Sequence, residues 1–272
     1  EILALLGENG SGKTTLMNMI SGIYYPDEGQ IFVNGEEVVI SSPQDAFRNR
    51  IGMVHQHFKL IDIFTAAQNV VLGAKAGRYS AKRINEEVDA IAKKYGFELD
   101  PKKKIYDMSV SEKQTVEIIK VLYRGADILI LDEPTAVLTP QETEKLFSVM
   151  RAMKADGKSI IIITHKLHEV MAISDRVAVL RKGEYIGCVN TSETTETALT
   201  EMMVGQKVQL NIERPVTKSD RPLLEIRDLT VKSDEGSTAI EDLSFFIRGG
   251  EILGVAGIAG CGQRELCEAI AG

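Results

Sequence analysis

The sequence has no tryptophan, few cysteines and no apolar run long enough to cross a bilayer. The three cysteines, Cys188, Cys261 and Cys267, are odd in number and lack CxxC spacing, so they predict reduced thiols in cytosol rather than disulfides. Because a membrane-spanning helix needs about 20 apolar residues, any association with a membrane must be peripheral. The first residue, Glu1, is neither a methionine nor part of a signal peptide.

The sequence is also short of basic charge. Its formal net charge is −7, whereas general nucleic-acid binding requires a basic face, so we expect no nucleic-acid partner. Hydrophobic residues make up 44% and charged residues 26% of the 272 positions, which is ordinary for a globular protein. A chain of this length can bury a substantial core in one large domain or two small ones.

A glycine-rich loop near the start carries the strongest motif. Residues Gly7-Glu8-Asn9-Gly10-Ser11-Gly12-Lys13-Thr14 fit the phosphate-loop pattern, between an apolar strand and a helical segment. Such a loop aims backbone N–H groups and the positive end of the helix dipole at a phosphate. The Lys13 ammonium would lie on the outer phosphates, and the Thr14 hydroxyl would ligate Mg²⁺. We therefore predict a nucleotide site formed by residues Gly7 through Thr15.

Apolar runs of strand length alternate with amphipathic helical segments along the first 204 residues. This alternation predicts an α/β fold with a mostly parallel sheet and antiparallel hairpins. Residues 65–124 carry no strand pattern, so we expect a helical insert there. The predicted strands are residues 2–6, 29–33, 36–39, 51–54, 128–131, 159–163, 175–181 and 184–189, and the predicted helices are residues 16–20, 41–48, 65–72, 80–95, 109–124, 141–155 and 194–204.

The end of the chain repeats its beginning. Residues 251–272 are identical to residues 1–22 at nine positions, including all three loop glycines. We expect residues 205–222, which are polar and carry two prolines, to be a linker, and residues 223–272 to be the truncated start of a second copy. Because the chain opens inside a strand, we also expect the first copy to lack its N-terminal strands and the sequence to be a fragment.

Polar residues follow the predicted strands on either side of the phosphate loop. Asp132 and Glu133 end an apolar strand, and the carboxyl end of a parallel strand faces the same crevice as the loop. Asp132 can hold Mg²⁺ through water, and Glu133 can act as the general base on an attacking water. His165 is a candidate to contact the γ-phosphate or the water. Gln56, a polar residue at the end of another strand, is a second candidate for the site. Taken singly, each of these two residues is more often structural.

The histidines form two pairs, which could suggest a metal site. His55 lies near His57, and His165 lies near His168, but no cysteine or carboxylate cluster completes a tetrahedral ligand set. We expect no metal other than Mg²⁺.

Five motifs follow one another in an order that resembles the ATPase subunit of ABC transporters. In that family they are the phosphate loop, the Q-loop, the signature, the Walker B strand and the switch histidine. They stand at Gly7–Thr14, Val54–Gln56, Met108–Glu112, Ile128–Glu133 and Ile163–His165. The resemblance covers residues 1–204 and again 223–272, and it implies a P-loop NTPase core that binds ATP and Mg²⁺.

The resemblance also implies residue roles and partners. Glu133, His165 and Gln56 would be catalytic, and Thr14, Gln56 and Asp132 would be the Mg²⁺ ligands. The implied partners are membrane permease subunits, an extracytoplasmic solute-binding protein reached through them, and a second ABC module of the same chain or another copy. The implied location is peripheral, on the cytoplasmic face of the cell membrane.

Two such modules in one chain resemble the monosaccharide and nucleoside importer branch of this family. The segment at residues 135–142 is similar to that branch, since most ABC modules have aspartate where Thr139 stands. Residues 51–58 are more like the nucleoside members than the ribose or galactose members. The resemblance therefore implies an ATP-hydrolysing subunit that energises uptake of a nucleoside or simple sugar.

The sequence departs from the family pattern at two places. The signature, Ser109-Val110-Ser111-Glu112, has Ser111 where the branch usually keeps a glycine, and the second loop has Gln263 and Arg264 in place of the lysine and the hydroxyl residue. In ABC dimers each ATP lies between the phosphate loop of one module and the signature of the other. Both departures therefore fall on one composite site, and we expect hydrolysis at the other.

Two alternative functions stay open at this point. One is a soluble ABC ATPase of DNA repair or translation, and the other is a nucleotide-gated scaffold that does not hydrolyse ATP. The acidic charge disfavours the first alternative. The intact set of Lys13, Asp132, Glu133 and His165 disfavours the second.

Overall fold

The structure is a computed structural model that describes residues 1–56, 58–73, 80–206, 221–232, 236–257 and 261–272. It divides into two compact units, Glu1–Val208 and Gln209–Gly272. His57, Gly260 and most of the predicted linker, residues 207–220, lie outside the described residues. The division of the chain into a first module, a linker and a second module stays a prediction.

The first unit alternates strands and helices. Its strands are β1 (Ile2–Leu6), β2 (Ile31–Val33), β3 (Glu36–Val38), β4 (Ile51–Val54), β5 (Ile128–Asp132), β6 (Ser159–Ile163), β7 (Arg176–Arg181) and β8 (Glu184–Asn190). Its helices are α1 (Lys13–Ile20), α2 (Pro43–Arg48), α3 (Ala66–Val71), α4 (Ala81–Tyr95), α5 (Val110–Tyr123), α6 (Pro140–Ala155), α7 (Leu167–Ile173) and α8 (Glu196–Val204), with single 3₁₀ turns at Ile105–Asp107 and Thr191–Glu193.

Six strands form the main sheet, in the order β4-β5-β6-β1-β7-β8. Every neighbouring pair is parallel except β7 and β8, which form an antiparallel hairpin. A second hairpin, β2 with β3, pairs separately. The α/β fold with a mostly parallel sheet and antiparallel hairpins is therefore confirmed.

The register of the central strands sets where the site lies. Leu5 pairs with Ile163, and Asp132 pairs with the same Ile163 from the other side. Because parallel strands all end at one edge of the sheet, the segments after β1, β4, β5 and β6 emerge side by side. These segments contain the phosphate loop, Gln56, Glu133 and His165.

Apolar side chains cover both faces of this sheet. Along β1, Ile2, Ala4 and Leu6 pack into one cluster, whereas Leu5 packs into a second cluster with Met17 of α1. This alternation is the period of two expected for a strand buried on both faces. The two clusters hold the sheet, and thus its carboxyl edge, between layers of helices.

The described residues between β4 and β5 form helices and loops and contain no named strand. Helices α3, α4 and α5 bury a third apolar cluster, and one isolated bridge joins Thr65 to Lys104. Thr65, Ser80 and Ser109 cap the three helices, and Gly96 ends α4 in the left-handed conformation at φ 82°. The predicted helical insert and its boundaries at Ser80 and Gly96 are confirmed.

Several helix predictions differ from the structure, and two of them concern the first helices: α1 begins at Lys13 rather than at residue 16, and α2 begins at Pro43 rather than at residue 41. Helix α6 begins at Pro140, because proline lacks an N–H and the first helical position needs none. Helix α8 is capped by Thr195 and begins at Glu196, two residues later than predicted. The seven-residue helix α7 was not predicted, since two turns are too short to show a clear helical period.

The second unit contains the hairpin β9 (Pro222–Lys232) with β10 (Thr238–Arg248) and the helix α9 (Gln263–Ala271). Helix α9 starts after Gly262 at φ 88°, and α1 of the first unit starts after Gly12 at φ 96°. The residues between β10 and α9 that the structure describes, 249–257 and 261–262, form no strand. Within the described residues of both units, no helix has the length and apolarity needed to cross a membrane.

A close contact fixes where α5 lies on the sheet. Gly52 of β4 faces Val121 of α5, and a Cβ at Gly52 would lie 2.1 Å from Val121 Cγ1. No real Cβ makes so short a contact, so the absence of a side chain at Gly52 lets the helix approach.

Gly52→Ala should lower the free energy of unfolding by roughly 1–3 kcal/mol, because the added methyl group overpacks the core. Urea unfolding measures the change. The double variant Gly52→Ala/Val121→Ala should lose less free energy of unfolding than the sum of the losses in the two single variants. The methyl group added at residue 52 would fill part of the space that the shortened residue 121 leaves. Strict additivity would show that Val121 does not limit the size of residue 52.

Candidate nucleotide-binding site

The loop between β1 and α1 has a backbone that requires glycine. Gly10 and Gly12 have φ values of 80° and 96°, in the left-handed region. At Gly7 the limit is space, because a Cβ there would lie 2.3 Å from both the Leu180 carbonyl oxygen and Ser11 Oγ. The loop is therefore tightly curved, and it ends at the N-terminus of α1, where helix N–H groups can bind an anion.

Lys13 lies within this loop. Its side chain is buried, and Nζ donates hydrogen bonds to the carbonyl oxygens of Gly7 at 2.7 Å and Glu8 at 2.9 Å. Burial lowers the pKa of Lys13, whereas the negative charges of Glu133 and Asp132 raise it. The ammonium group is thus held at the loop, facing two carboxylates across the site.

A cavity of about 820 Å³ opens above the loop. The predicted site residues that line it are Gly7, Glu8, Asn9, Gly10, Gly12, Lys13, Thr14, Thr15, Gln56, Asp132, Glu133 and His165. Ser11, the remaining residue of the predicted loop, is buried beneath it. Residues that the sequence did not indicate, Ala136, Ile163 and Met203, complete the lining.

Glu133 occupies an unusual backbone conformation directly after β5. Its φ is 48°, which is uncommon for a residue other than glycine, and its N–H donates to the Ile163 carbonyl oxygen at 2.9 Å. His165 Nδ1 lies 3.0 Å from Glu133 Oε1. Glu133 Oε2 is buried and has no hydrogen-bond partner in the part of the chain that is described. One carboxylate oxygen therefore contacts His165, and the other is buried with its hydrogen-bonding capacity unused.

Asp132 lies beside Glu133 in an environment that opposes its charge. Burial raises the pKa of Asp132, and the neighbouring charge of Glu133 raises it further. His55 and Lys13 act in the opposite direction. A cation at this position would relieve the unfavourable environment of the carboxylate.

The residues of the cavity fit a nucleotide with its metal ion. Ser11 Oγ is buried without a hydrogen-bond partner among the described residues, inside a glycine loop of the kind that binds anions. Thr14, Gln56 and Asp132 line one cavity and offer a hydroxyl, an amide oxygen and a carboxylate. Mg²⁺ typically uses one or two carboxylates together with phosphate oxygens and water, so this sparse donor set suits it.

The predicted signature residues lie elsewhere. Ser109, Ser111 and Glu112 line a different cavity, of about 520 Å³, and Val110 is exposed. Ser109 and Glu112 form a capping box at the start of α5, with hydrogen bonds of 3.2 and 2.8 Å between each side chain and the other residue's N–H. The structure thus does not bring the signature to the phosphate loop of the same chain.

Helix α5 links the signature to the segments that follow Glu133 and Gln56 along the chain. Gln114 Nε2 donates to the Pro134 carbonyl oxygen at 2.5 Å, directly after Glu133. Three residues further along the helix, Glu117 Oε1 accepts from the Lys59 N–H at 2.6 Å. Sequence reasoning missed both contacts, since neither side chain belongs to a recognisable pattern.

Comparison with known proteins gives one family. A family model described as ABC transporter matches residues 1–136 of the chain. The guanosine import ATP-binding protein NupO of Bacillus subtilis is 49% identical to this chain, and the nucleoside import ATP-binding protein NupA of Lactococcus lactis is 47% identical. Each alignment covers 100% of this chain and 54% of the relative, so the chain spans about half the length of these relatives.

A solved structure agrees with this result. The cbiO1 protein of Clostridium perfringens, described as part of the ABC transporter complex cbiONQ, is 32% identical to this chain with a TM-score of 0.62. The match covers 71% of this chain and 78% of that protein. Since the family model covers half of the chain, including the phosphate loop, Asp132 and Glu133, the chain belongs to the ABC transporter family of ATP-binding proteins.

Proposed function

We propose that this chain is the ATP-binding and ATP-hydrolysing part of an importer, which energises uptake of a nucleoside or a simple sugar. One observation carries the proposal: a single cavity gathers the phosphate loop, Gln56, Asp132, Glu133 and His165. The printed names of the two relatives, both import ATP-binding proteins for nucleosides, support the class of solute.

The residues of the cavity suit in-line attack of water on the γ-phosphate. Glu133 Oε1 contacts His165, and Oε2 has no partner among the described residues, so Oε2 is the oxygen that would accept a proton from the water once that water is bound. In this proposal the Glu133 carboxylate is the base, so Nδ1 of His165 would donate the hydrogen bond between the two side chains. Lys13 and the loop N–H groups would stabilise the charge that develops on the phosphate oxygens.

Thr14, Gln56 and Asp132 are the residues that would hold Mg²⁺. The ion, when bound, neutralises part of the charge on the β- and γ-phosphates. In this proposal Gln56 also orients the attacking water, because it reaches the same cavity from β4 as Glu133 does from β5.

The proposal includes a second module and membrane partners. Because Ser109 and Ser111 line a separate cavity, a nucleotide on this phosphate loop needs a signature from another module, of the same chain or of another copy. We place the first module at residues 1–204, a linker at 205–222 and the start of the second module at 223–272. Permease subunits and, through them, a solute-binding protein would complete an importer with this chain on the cytoplasmic face of the membrane.

Uptake by whole cells tests the function. Deleting the gene should abolish uptake of one labelled solute among a panel of nucleosides, pentoses and hexoses, and the wild-type gene should restore it. A gene carrying Glu133→Gln should not restore it. Unchanged uptake of every solute in the panel would contradict the proposal.

Lys13→Ala should weaken ATP binding about 10- to 150-fold, because a charge-assisted contact with phosphate is worth about 1.5–3 kcal/mol. Titration of a fluorescent ATP analogue measures the affinity. Lys102→Ala is the matched control, since it removes the same charge from an exposed loop. Equal losses in the two variants would mean that general charge, rather than the position of Lys13, governs binding.

Glu133→Gln should leave ATP affinity nearly unchanged and reduce turnover by 100-fold or more, since general-base catalysis contributes roughly 10²–10⁴-fold. Phosphate release by the complete polypeptide measures the turnover. Glu36→Gln, on an exposed hairpin, controls for the loss of a carboxylate. Turnover by Glu133→Gln close to that of the wild type would remove Glu133 as the base.

Asp132→Asn should raise the free energy of unfolding of the nucleotide-free protein at pH 7. Burial raises the pKa of Asp132, so its ionised form costs stability at neutral pH, and this cost shrinks as the pH falls through the raised folded-state pKa. The gain from Asp132→Asn should therefore shrink in acid. Urea unfolding at several pH values measures it.

Asp175→Asn is the matched control with the opposite sign. Burial opposes the charge of Asp175, but hydrogen bonds from Lys154 and from the Ile2 N–H outweigh it and lower the pKa. The ionised form therefore stabilises the fold at pH 7, and this contribution is lost as the pH falls through the lowered pKa. Destabilisation by both variants at pH 7 would contradict the analysis of Asp132.

A further inference from the structure

A buried polar cluster lies next to the Glu133–His165 pair and outside the cavity lining. Its members, here called the Glu169 cluster, are Thr135, Thr164, Lys166 and Glu169. Thr135 and Thr164 are fully buried, and Glu169 is 3% exposed. A carboxylate so deeply buried is costly unless it is paired and hydrogen-bonded.

The cluster satisfies that carboxylate from two loops. Thr135 Oγ1 donates to Glu169 Oε2 at 2.5 Å, and Lys166 Nζ lies 3.0 Å from Glu169 Oε1. Lys166 Nζ also donates to the Thr135 carbonyl oxygen at 2.8 Å, which closes a ring of contacts between three residues. Thr164 Oγ1 accepts from the Lys166 N–H at 3.1 Å.

The position of the cluster along the chain connects it to the site. Thr135 is two residues after Glu133, in the turn closed by the Ala136 N–H and the Glu133 carbonyl oxygen at 3.2 Å. Thr164 directly precedes His165. The cluster therefore ties the backbone that carries the carboxylate to the backbone that carries the imidazole.

Glu133 needs such support. A residue other than glycine at φ 48° stores strain and persists when its surroundings over-determine it. The hydrogen bond from the Glu133 N–H to Ile163 fixes one end of the turn, and the Thr135 contacts fix the next residues. Since His165 is mostly exposed, packing alone does not hold its ring beside Glu133.

We infer that Glu169 is a positioning residue for hydrolysis, which acts through Thr135 and Lys166 to set the distance between Glu133 and His165. This role rests on the proposed function, because it assumes that Glu133 is the base. Glu169 does not line the cavity, so it touches neither nucleotide nor water. Its loss should lower kcat and leave the KM for ATP unchanged.

The sharpest test removes one hydroxyl. Thr135→Val keeps the shape of the side chain and deletes the donor to Glu169, whereas Thr135→Ser keeps the hydroxyl. In the complete polypeptide with its transporter, Thr135→Val should reduce kcat about 10- to 100-fold, as displacements of about 1 Å do, with a KM within about twofold of the wild type. Thr135→Ser should retain most of the wild-type kcat. The kcat of Glu169→Gln should lie between those of Thr135→Val and Thr135→Ser.

The chain offers a matched control in Thr191. This residue is also buried, and its Oγ1 shares a 2.9 Å hydrogen bond with Ser174 Oγ away from the cavity. Thr191→Val should lose similar stability and leave kcat unchanged. Hydrogen exchange of the nucleotide-free protein gives a readout besides activity: exchange at residues 133–136 and 164–166 should rise in Thr135→Val and not in Thr191→Val.

The outcomes separate this inference from the proposed function. A wild-type protein without ATP hydrolysis would overturn both. Hydrolysis by the wild type together with an unchanged kcat in Thr135→Val would overturn the positioning role alone. So would equal losses of kcat in Thr135→Val and Thr191→Val, which would mean that general stability explains the effect.

Discussion

The site depends on the parallel pairing of β1, β5 and β6. This pairing brings the carboxyl ends of three buried strands to one edge of the sheet, and the register places Leu5 and Asp132 on either side of Ile163. A slip of one residue in any of these strands would turn its side chains to the opposite face and remove a functional group from the cavity. The apolar clusters on both faces prevent such a slip, because every shifted strand would bury the wrong set of side chains.

The site itself works against the stability that the sheet provides. Lys13 and Asp132 are held in surroundings that oppose their charges, Glu133 has a strained backbone, and Ser11 Oγ is buried without a partner within the described residues. Each feature is unfavourable in the free protein, and in the proposed function each would be offset by contact with a phosphate or with its cation. Polar clusters such as that around Glu169 offset part of the cost by satisfying buried groups close to the strained turn.

The sequence predicts those parts of the fold and site that follow from local patterns. The phosphate loop, the strand ending at Asp132 and the caps at Ser80 and Ser109 are each encoded within a few neighbouring residues. Contacts between distant positions could not be predicted: Gln114 is 20 residues from Pro134, and Lys59 is 58 residues from Glu117. Met203 reaches the cavity from α8, and no periodicity or motif indicates that a methionine there faces a nucleotide.

The glycines before α1 and α9 have a consequence for how such loops diverge. Gly12 and Gly262 adopt nearly the same left-handed conformation, although Lys13 follows one and Gln263 follows the other. The backbone bend therefore does not depend on the ammonium group that follows the glycine in the first loop. A glycine in this conformation can keep the turn into a helix while the side chain that follows it changes. The turn and the charge beside it can therefore vary independently, so the presence of the glycine alone does not show that a phosphate is bound there.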